Sequence, residues 1–328
     1  MNKMSAPIPT AADVADAARV LRGVAVRTPL LRVPMLERDG GRVFVKCETL
    51  QFTGSFKFRG AYNCISRIAP SLRAGGVVAF SSGNHAQGVA AAAKLLGMPA
   101  AIVMPSDAPL LKRERTAGHG AEVVLYDRVK ESREEISARL AAERGATLVP
   151  PFDHPHVIAG QGSVGIEICE DLAAQSLLPD IIAVPASGGG LLAGISLAVK
   201  DRHAGAQLVA CEPAGFDDHA RSFASGRRVR NEKLAGSICD ALLTPSPGEI
   251  TFEINRRLVG KAVSVTDDEV RKAMAFAYRE LKLVVEPGGS VALAALLAGK
   301  IDARGKTFVA VLSGGNADTE IFCAAIAG

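Results

Sequence analysis

Tryptophan does not occur in this 328-residue chain, and aromatic residues make up only 5% of it. Long apolar runs are missing too. Stretches such as "VALAALLAG" are far too short to span a bilayer, and the opening "MNKMSAPIPT" has no apolar core of the length a signal peptide needs. No block of one charge exists. The net +4 is spread along the chain, and short clusters such as "LKRERT" and "GRRVRN" read as solvated helix and loop charges, which argues against a nucleic-acid partner. CxxC spacing is absent among the six cysteines, Cys47, Cys64, Cys169, Cys211, Cys239 and Cys323. They read as reduced core or strand residues rather than ligands or bridges. Together these absences predict a soluble cytoplasmic protein with no membrane partner, long enough for a large core and two lobes.

What the chain does contain is a regular alternation. Thr10 and Asp13 form a helix-opening pair, and "RVFVKCE" reads as a strand with a helix starting near Lys57. Strands "GVVAF", "AAIVMP" and "AEVVLY" then alternate with helices "NHAQGVAAAAKLLG", "APLLKRERTAGHG" and "ESREEISARLAAERG". After a Pro-rich break at 149–155, strands "DIIAVPA", "QLVACEP" and "TFVAVLSGG" alternate with helices "LLAGISLAVKDR" and "TDDEVRKAMAFAYRELK", the latter opened by Thr266 and Glu269. The pattern predicts an α/β protein with parallel, doubly wound sheets.

Three Gly- or Ser-rich turns sit between a strand and a helix: "SSGNHAQG" at 81–88, "ASGGGLLAG" at 186–194 and "SGGN" at 313–316. Glycines at the carboxyl ends of parallel strands let backbone N–H groups and a helix N-terminus approach an anion. The second turn also satisfies G-x-G-x-x-A at Gly188, Gly190 and Ala193, with Glu212 ending the next strand, as a dinucleotide-dependent oxidoreductase would need. That reading leaves Lys57 and the other two turns without roles. Lys57 itself stands between Phe56 and Phe58 in "TGSFKFRGAYN". Either its stem snorkels over apolar rings, or desolvation lowers its pKa so that it acts as an amine.

One ligand uses all these features, since pyridoxal phosphate needs a lysine, a cradle of amides for its phosphate, and groups that tune its ring. The motifs "TGSFKFRGAYN", "SSGNHAQG", "PFDHPHVIAGQGSVGIEI", "SGGGL", "VVEPGG" and "SGGN" occur in family order from about residue 10 to residue 320. They resemble those of the threonine/serine dehydratases and serine racemase, pyridoxal-phosphate enzymes of the tryptophan-synthase-β-like fold (fold type II).

The resemblance implies roles position by position. Lys57 would be the Schiff-base lysine and take the α-proton, with Phe56 packed near the ring. Ser187, Gly188, Gly189, Gly190 and Leu191 would bind the phosphate, Ser187 standing where the family usually has glycine. Asn84 would bond the ring hydroxyl, Ser313 would face the ring nitrogen, and Glu286 would lie close to the cofactor. Ser81, Ser82, Gly83, Asn84 and His85 would hold the substrate carboxylate, the His85 side chain being structural. In "EPAGFDDHARS", Glu212, the Phe216 carbonyl and Asp218 resemble a divalent-cation loop suited to Mg²⁺ or Ca²⁺.

The reaction implied is β-elimination from threonine or serine to a 2-oxo acid and ammonia. Ser82 stands where serine racemase has its opposite-face acid/base, so racemisation is the alternative. A further alternative is another β-hydroxy amino acid such as 3-hydroxyaspartate, because "GSICDALLTPSPGE" departs from the family's Ala-Asp-Gly run at Cys239 and Ala241. No positive charge in that segment is placed to receive a second carboxylate, though folding could bring an arginine in. The expected architecture is a large cofactor-binding lobe, residues 1–74 and 149–328, and a small lobe, residues 75–148, in a homodimer. With the chain stopping about a dozen residues after "SGGN", a stand-alone enzyme without a regulatory domain is expected.

Overall fold

The computed structural model describes residues 7–108 and 110–327. Helix α1 (Ala11–Leu21) opens on the reciprocal cap foreseen above: Thr10 Oγ1 accepts from the Asp13 N–H, and the Asp13 carboxylate accepts from the Thr10 N–H. Strands β1 (Leu30–Arg32) and β2 (Arg42–Cys47) follow, then α2 (Lys57–Ser66). A run of short alternating elements comes next: β3 (Val77–Phe80), α3 (Asn84–Leu95), β4 (Ala100–Pro105), α4 (Leu110–Gly118), β5 (Glu122–Tyr126), α5 (Arg133–Arg144) and β6 (Thr147–Leu148). The remainder is α6 (Pro155–Ala173), β7 (Ile181–Pro185), α7 (Gly190–Arg202), β8 (Gln207–Pro213), α8 (Asp218–Ser225), α9 (Glu249–Leu258), β9 (Lys261–Val265), α10 (Asp267–Leu281), α11 (Pro287–Leu297), β10 (Thr307–Leu312) and α12 (Thr319–Ala327).

The strands form two sheets. One has the order β1-β2-β10-β7-β8-β9, parallel except for β1 against β2; the other has the order β5-β4-β3-β6 and is parallel throughout. Parallel strands covered on both faces read as continuous apolar runs, and every residue of β7 is buried. Helices α10 and α11 pack one face of the larger sheet through Met274, Val291 and Leu293. On the other face α6 and α7 pack Ile168, Leu172, Leu192 and Ile195 against Phe44, Val184 and Val309. The smaller sheet has its own core, where Val77, Ile102 and Met104 meet Val89 and Ala93 of α3 and Phe58 of α2. No described helix is long and apolar enough to cross a membrane.

Candidate active site

The carboxyl ends of β3, β7 and β10 carry the three glycine-rich turns, and all three turns reach one cavity of about 730 Å³. That is where ligands bind in open parallel sheets. Here the ends of two separate sheets share the task.

Lys57 is the first residue of α2 and lines this cavity. The chain approaches it through two left-handed residues, Thr53 (φ 66) and Gly54 (φ 73), then pairs Ser55 with Gly314 across the third turn. The Phe56 N–H donates to the Ser313 carbonyl at 3.2 Å, so the start of α2 and the "SGGN" turn are tied together. Lys57 Nζ donates to the Pro151 carbonyl at 2.8 Å and lies 5.2 Å from the centre of the Phe56 ring. Enclosure by protein brings its pKa down to about 8, with the charge of Glu286 acting in the opposite direction. His85 is also enclosed. Burial, and then the charge of Lys57, lowers it to about 3, so the ring is neutral, with Nε2 2.9 Å from the Val149 carbonyl.

A ladder of amides joins the first and third turns. Asn316 Nδ2 donates to Asn84 Oδ1 at 2.8 Å and to the Thr53 carbonyl at 2.8 Å, while Asn84 Nδ2 donates to Glu286 Oε1 at 2.6 Å. Burial pushes Glu286 up to about 7, with the bond from Asn84 opposing. Ser82 and Ser313 line the same cavity. Ser81 Oγ is turned inward on its own loop and accepts from the Gly83 N–H at 3.2 Å.

The middle turn is bare backbone by construction. A Cβ built on Gly188 would lie 2.4 Å from the Phe152 ring, and Gly189 has φ 89, where any other residue is strained. The carbonyls are held from behind: Gly188 O accepts from Thr251 Oγ1 at 2.6 Å and Gly189 O from Asn255 Nδ2 at 3.2 Å. Among the described residues nothing accepts from the N–H groups of Ser187, Gly188 and Gly189, and the first amides of α7 are free as in any helix. Ser187 Oγ donates to Thr244 Oγ1 at 2.6 Å, away from the amides.

Glu212 lies outside this cavity. Its oxygens accept from the N–H groups of His219 (2.8 Å) and Ala220 (3.0 Å) at the start of α8, which removes the ribose-binding role considered for it. Asp218 stands beside it, raised to about 7 by burial and then by the charge of Glu212. The Phe216 carbonyl accepts from no described donor.

The family model described as "Pyridoxal-phosphate dependent enzyme" matches residues 21–314. This chain belongs to the pyridoxal-phosphate dependent enzymes. Among its curated relatives it is 42% identical to the L-threo-3-hydroxyaspartate ammonia-lyase of Saccharomyces cerevisiae, over 98% of this chain and 97% of that one. With the L-threonine ammonia-lyase of Thermotoga maritima it shares 41% identity, over 95% of this chain and 77% of that one. Of solved structures, maize serine racemase superposes with a TM-score of 0.90 at 35% identity, covering 98% of each chain. Like these ammonia-lyases, this pyridoxal-phosphate enzyme is a carbon–nitrogen lyase working by β-elimination, not an oxidoreductase.

The residues present fit the cofactor: an amine whose pKa is lowered by burial lines the same cavity as a glycine turn whose N–H groups have no described partner. Several supports were not visible in the sequence. The Pro-rich break, read as a lobe boundary, is a wall of the site: Pro151 accepts from Lys57, Phe152 covers Gly188, and the Asp153 carboxylate caps α9 at Glu249, Ile250 and Thr251. Thr251 and Asn255 then grip the middle turn. The only sequence signal was the spacing of Thr251 and Asn255 by four, one helix face, opposite a glycine run.

Proposed function

We propose that this enzyme eliminates water from a β-hydroxy amino acid to give a 2-oxo acid and ammonia, and that its preferred substrate is 3-hydroxyaspartate. The observation that carries the elimination is the meeting of Lys57, the amide turn at 187–191 and the turn at 81–85 around one cavity. Bound pyridoxal phosphate withdraws electrons from the α-carbon of an amino acid attached to it and so acidifies the α-proton. Lys57 would hold the cofactor through Nζ and, once free, accept that proton there. Backbone N–H groups of Ser187, Gly188, Gly189, Gly190 and Leu191 would hold the phosphate. Phe56 would pack beside the ring, Asn84 would bond its hydroxyl, and Ser313 its nitrogen, with Glu286 fixing Asn84. The amides of Ser82, Asn84 and His85, at the start of α3, would receive the substrate carboxylate. The Ser81 N–H donates instead to the Val103 carbonyl at 3.2 Å and the Gly83 N–H to Ser81 Oγ, so those two of the five expected amides are engaged within the protein. The four-stranded unit would close over the substrate as a small lobe; the Lys112–Asp240 pair (3.0 Å) already joins α4 to the segment before α9.

Support for a dicarboxylic substrate comes from the cavity wall. Sequence alone placed no cation there, yet folding brings Lys112, Arg133, Arg228 and Arg230 to it. Lys112 and Arg228 are engaged by Asp240 and Glu249, while no described partner meets the Arg230 side chain. A panel of L-threo-3-hydroxyaspartate, L-threonine and L-serine with 2-oxo acid detection is expected to rank hydroxyaspartate first. Release of 2-oxo acid from none of the three would end this reading. Ser82 on the cavity wall and the likeness to serine racemase favour one second reading, racemisation. Chiral analysis after incubation with L-serine decides it, with D-serine in excess of pyruvate reversing the order.

The lowered pKa of Lys57 sets a pH dependence. Only the neutral amine attacks an aldehyde, so capture of pyridoxal phosphate by cofactor-free protein is expected to speed up about tenfold per pH unit on the acid side and level off near pH 8. A rate still climbing toward the ordinary lysine value, about 10.4, would mean an unshifted amine.

Glu212, the Phe216 carbonyl and Asp218 would hold a divalent cation. The carboxylates of Glu212 and Asp218 lie together in a buried cluster, and the Phe216 carbonyl, which no described donor claims, would complete a hard oxygen set.

A further inference from the structure

Behind the 187–191 turn, four buried polar atoms have no hydrogen-bond partner: Asp218 Oδ2, both ring nitrogens of His219, and Asn255 Oδ1. Native proteins satisfy nearly all such atoms, so a group of them points to a ligand or an unmade bond. His219 is fully buried and its ring has two sides. On one side Nδ1 stands 3.3 Å from Glu212 Oε1 and 3.9 Å from Asp218 Oδ2. Atoms about 2.2 Å from one divalent ion lie about 3.1 Å apart at right angles and about 4.4 Å apart in trans. Both separations fall between these two values, and the ligand atoms of Glu212, Asp218 and His219 all lie within 4.8 Å of one another, as donors around a single ion would. On the other side Nε2 faces the phosphate turn: a Cβ built on Gly189 would lie 2.8 Å from His219 Nε2 and 2.8 Å from Asn255 Nδ2.

We propose that His219 is a ligand of the divalent cation through Nδ1 and a positioning residue for the 187–191 turn through Nε2, so that cation and cofactor phosphate bind cooperatively. The proposal rests on the cation reading above and adds to it a nitrogen ligand and a route. A ring that lends Nδ1 to a metal carries its proton on Nε2. With the cation bound, that N–H would donate to Asn255 Oδ1, the acceptor left over in this structure, and so fix the amide with Nδ2 on the Gly189 carbonyl. With this carbonyl held behind the turn, the N–H groups stay on the cavity side. Coupling of this kind is reciprocal, so bound cofactor also tightens the cation. The nitrogen ligand has a second consequence: the site prefers Mn²⁺ to Mg²⁺, which takes oxygen ligands.

The test measures binding rather than turnover. Mn²⁺ and Mg²⁺ are titrated calorimetrically into the protein with and without pyridoxal phosphate, and cofactor affinity is read by absorbance with and without Mn²⁺. Wild type is expected to bind Mn²⁺ about tenfold more tightly than Mg²⁺ and to gain about fivefold or more in cofactor affinity when Mn²⁺ is present. His219→Leu should keep Mg²⁺ binding through its oxygen ligands, yet lose both the Mn²⁺ preference and the gain. Asn255→Ala, which leaves every ligand in place, should keep the Mn²⁺ preference and lose only the gain; it carries the test if His219→Leu does not fold. A gain unchanged in Asn255→Ala, or Mn²⁺ bound by wild type with no effect on cofactor affinity, overturns the proposal. Absence of any cation binding removes the cation reading with it, while the elimination reading, judged by 2-oxo acid release, stands apart.

Discussion

Replacing Lys57 by alanine is expected to lower 2-oxo acid formation on the order of 10⁴-fold or more, and to abolish the absorbance band of covalently held pyridoxal phosphate. The residue combines two duties, holding the cofactor and moving the α-proton, so no neighbour replaces it. Stability should hardly change. The side chain makes one hydrogen bond, to the Pro151 carbonyl, and that acceptor faces a polar cavity once the lysine is gone, a loss of about 1 kcal/mol or less. The control is Lys112, the other lysine on the cavity wall, whose ammonium is engaged by Asp240. Lys112→Ala should retain the band. A Lys57→Ala protein that keeps both band and activity would mean the covalent link lies elsewhere. The chain has no tryptophan, so cofactor fluorescence can be followed without indole emission beneath it.

The second large effect concerns stability. Arg59, two residues after Lys57 on the same helix, is almost wholly buried, and its guanidinium meets two carboxylates face to face. Nε and Nη2 donate to Glu48 at 2.8 and 2.9 Å, and Nη1 and Nη2 to Glu167 at 2.6 and 2.9 Å. Lys46, also buried, donates to Glu167 at 2.6 Å and to the Thr28 carbonyl at 2.6 Å. Two cations and two anions thus balance inside the protein. Arg59→Met leaves the fully buried Glu48 without its countercharge and is expected to destabilise the fold by about 3–5 kcal/mol, read by denaturant unfolding. Adding Glu48→Gln to Arg59→Met should recover part of the loss, because the stranded charge rather than the missing contacts is the larger cost. A double variant no better than the single one would assign the loss to packing instead.

The strand–helix alternation was legible because both periods are local. Each apolar strand and each helix from β2 to β5 stands where its pattern put it, and the capping pairs at Thr10 and Thr266 are present as bonds. Helix α6 was hidden by its own composition. Gly160, Gly162 and Gly165 lower helix propensity, yet α7 and α2 pack so closely that larger residues have no room: a Cβ on Gly162 would lie 2.7 Å from the Gly194 carbonyl. Helix α11 was hidden differently. It is buried around its whole circumference, so "SVALAALL" has no polar face to set a period.

From the sequence alone came the chemistry that resides in neighbouring residues: a lysine between phenylalanines, three glycine turns after strands, and an acidic loop. Those depend on bonds and conformations within a few residues, which composition and spacing express directly. Only the tertiary structure decided that turns more than a hundred residues apart share one cavity, that Lys57 is enclosed enough to lose its proton near pH 8, and that four cations stand on the wall. It alone put His219 between the acidic pair and the phosphate turn. Enclosure and through-space charge are properties of what the rest of the chain packs around a residue, and no local pattern carries them.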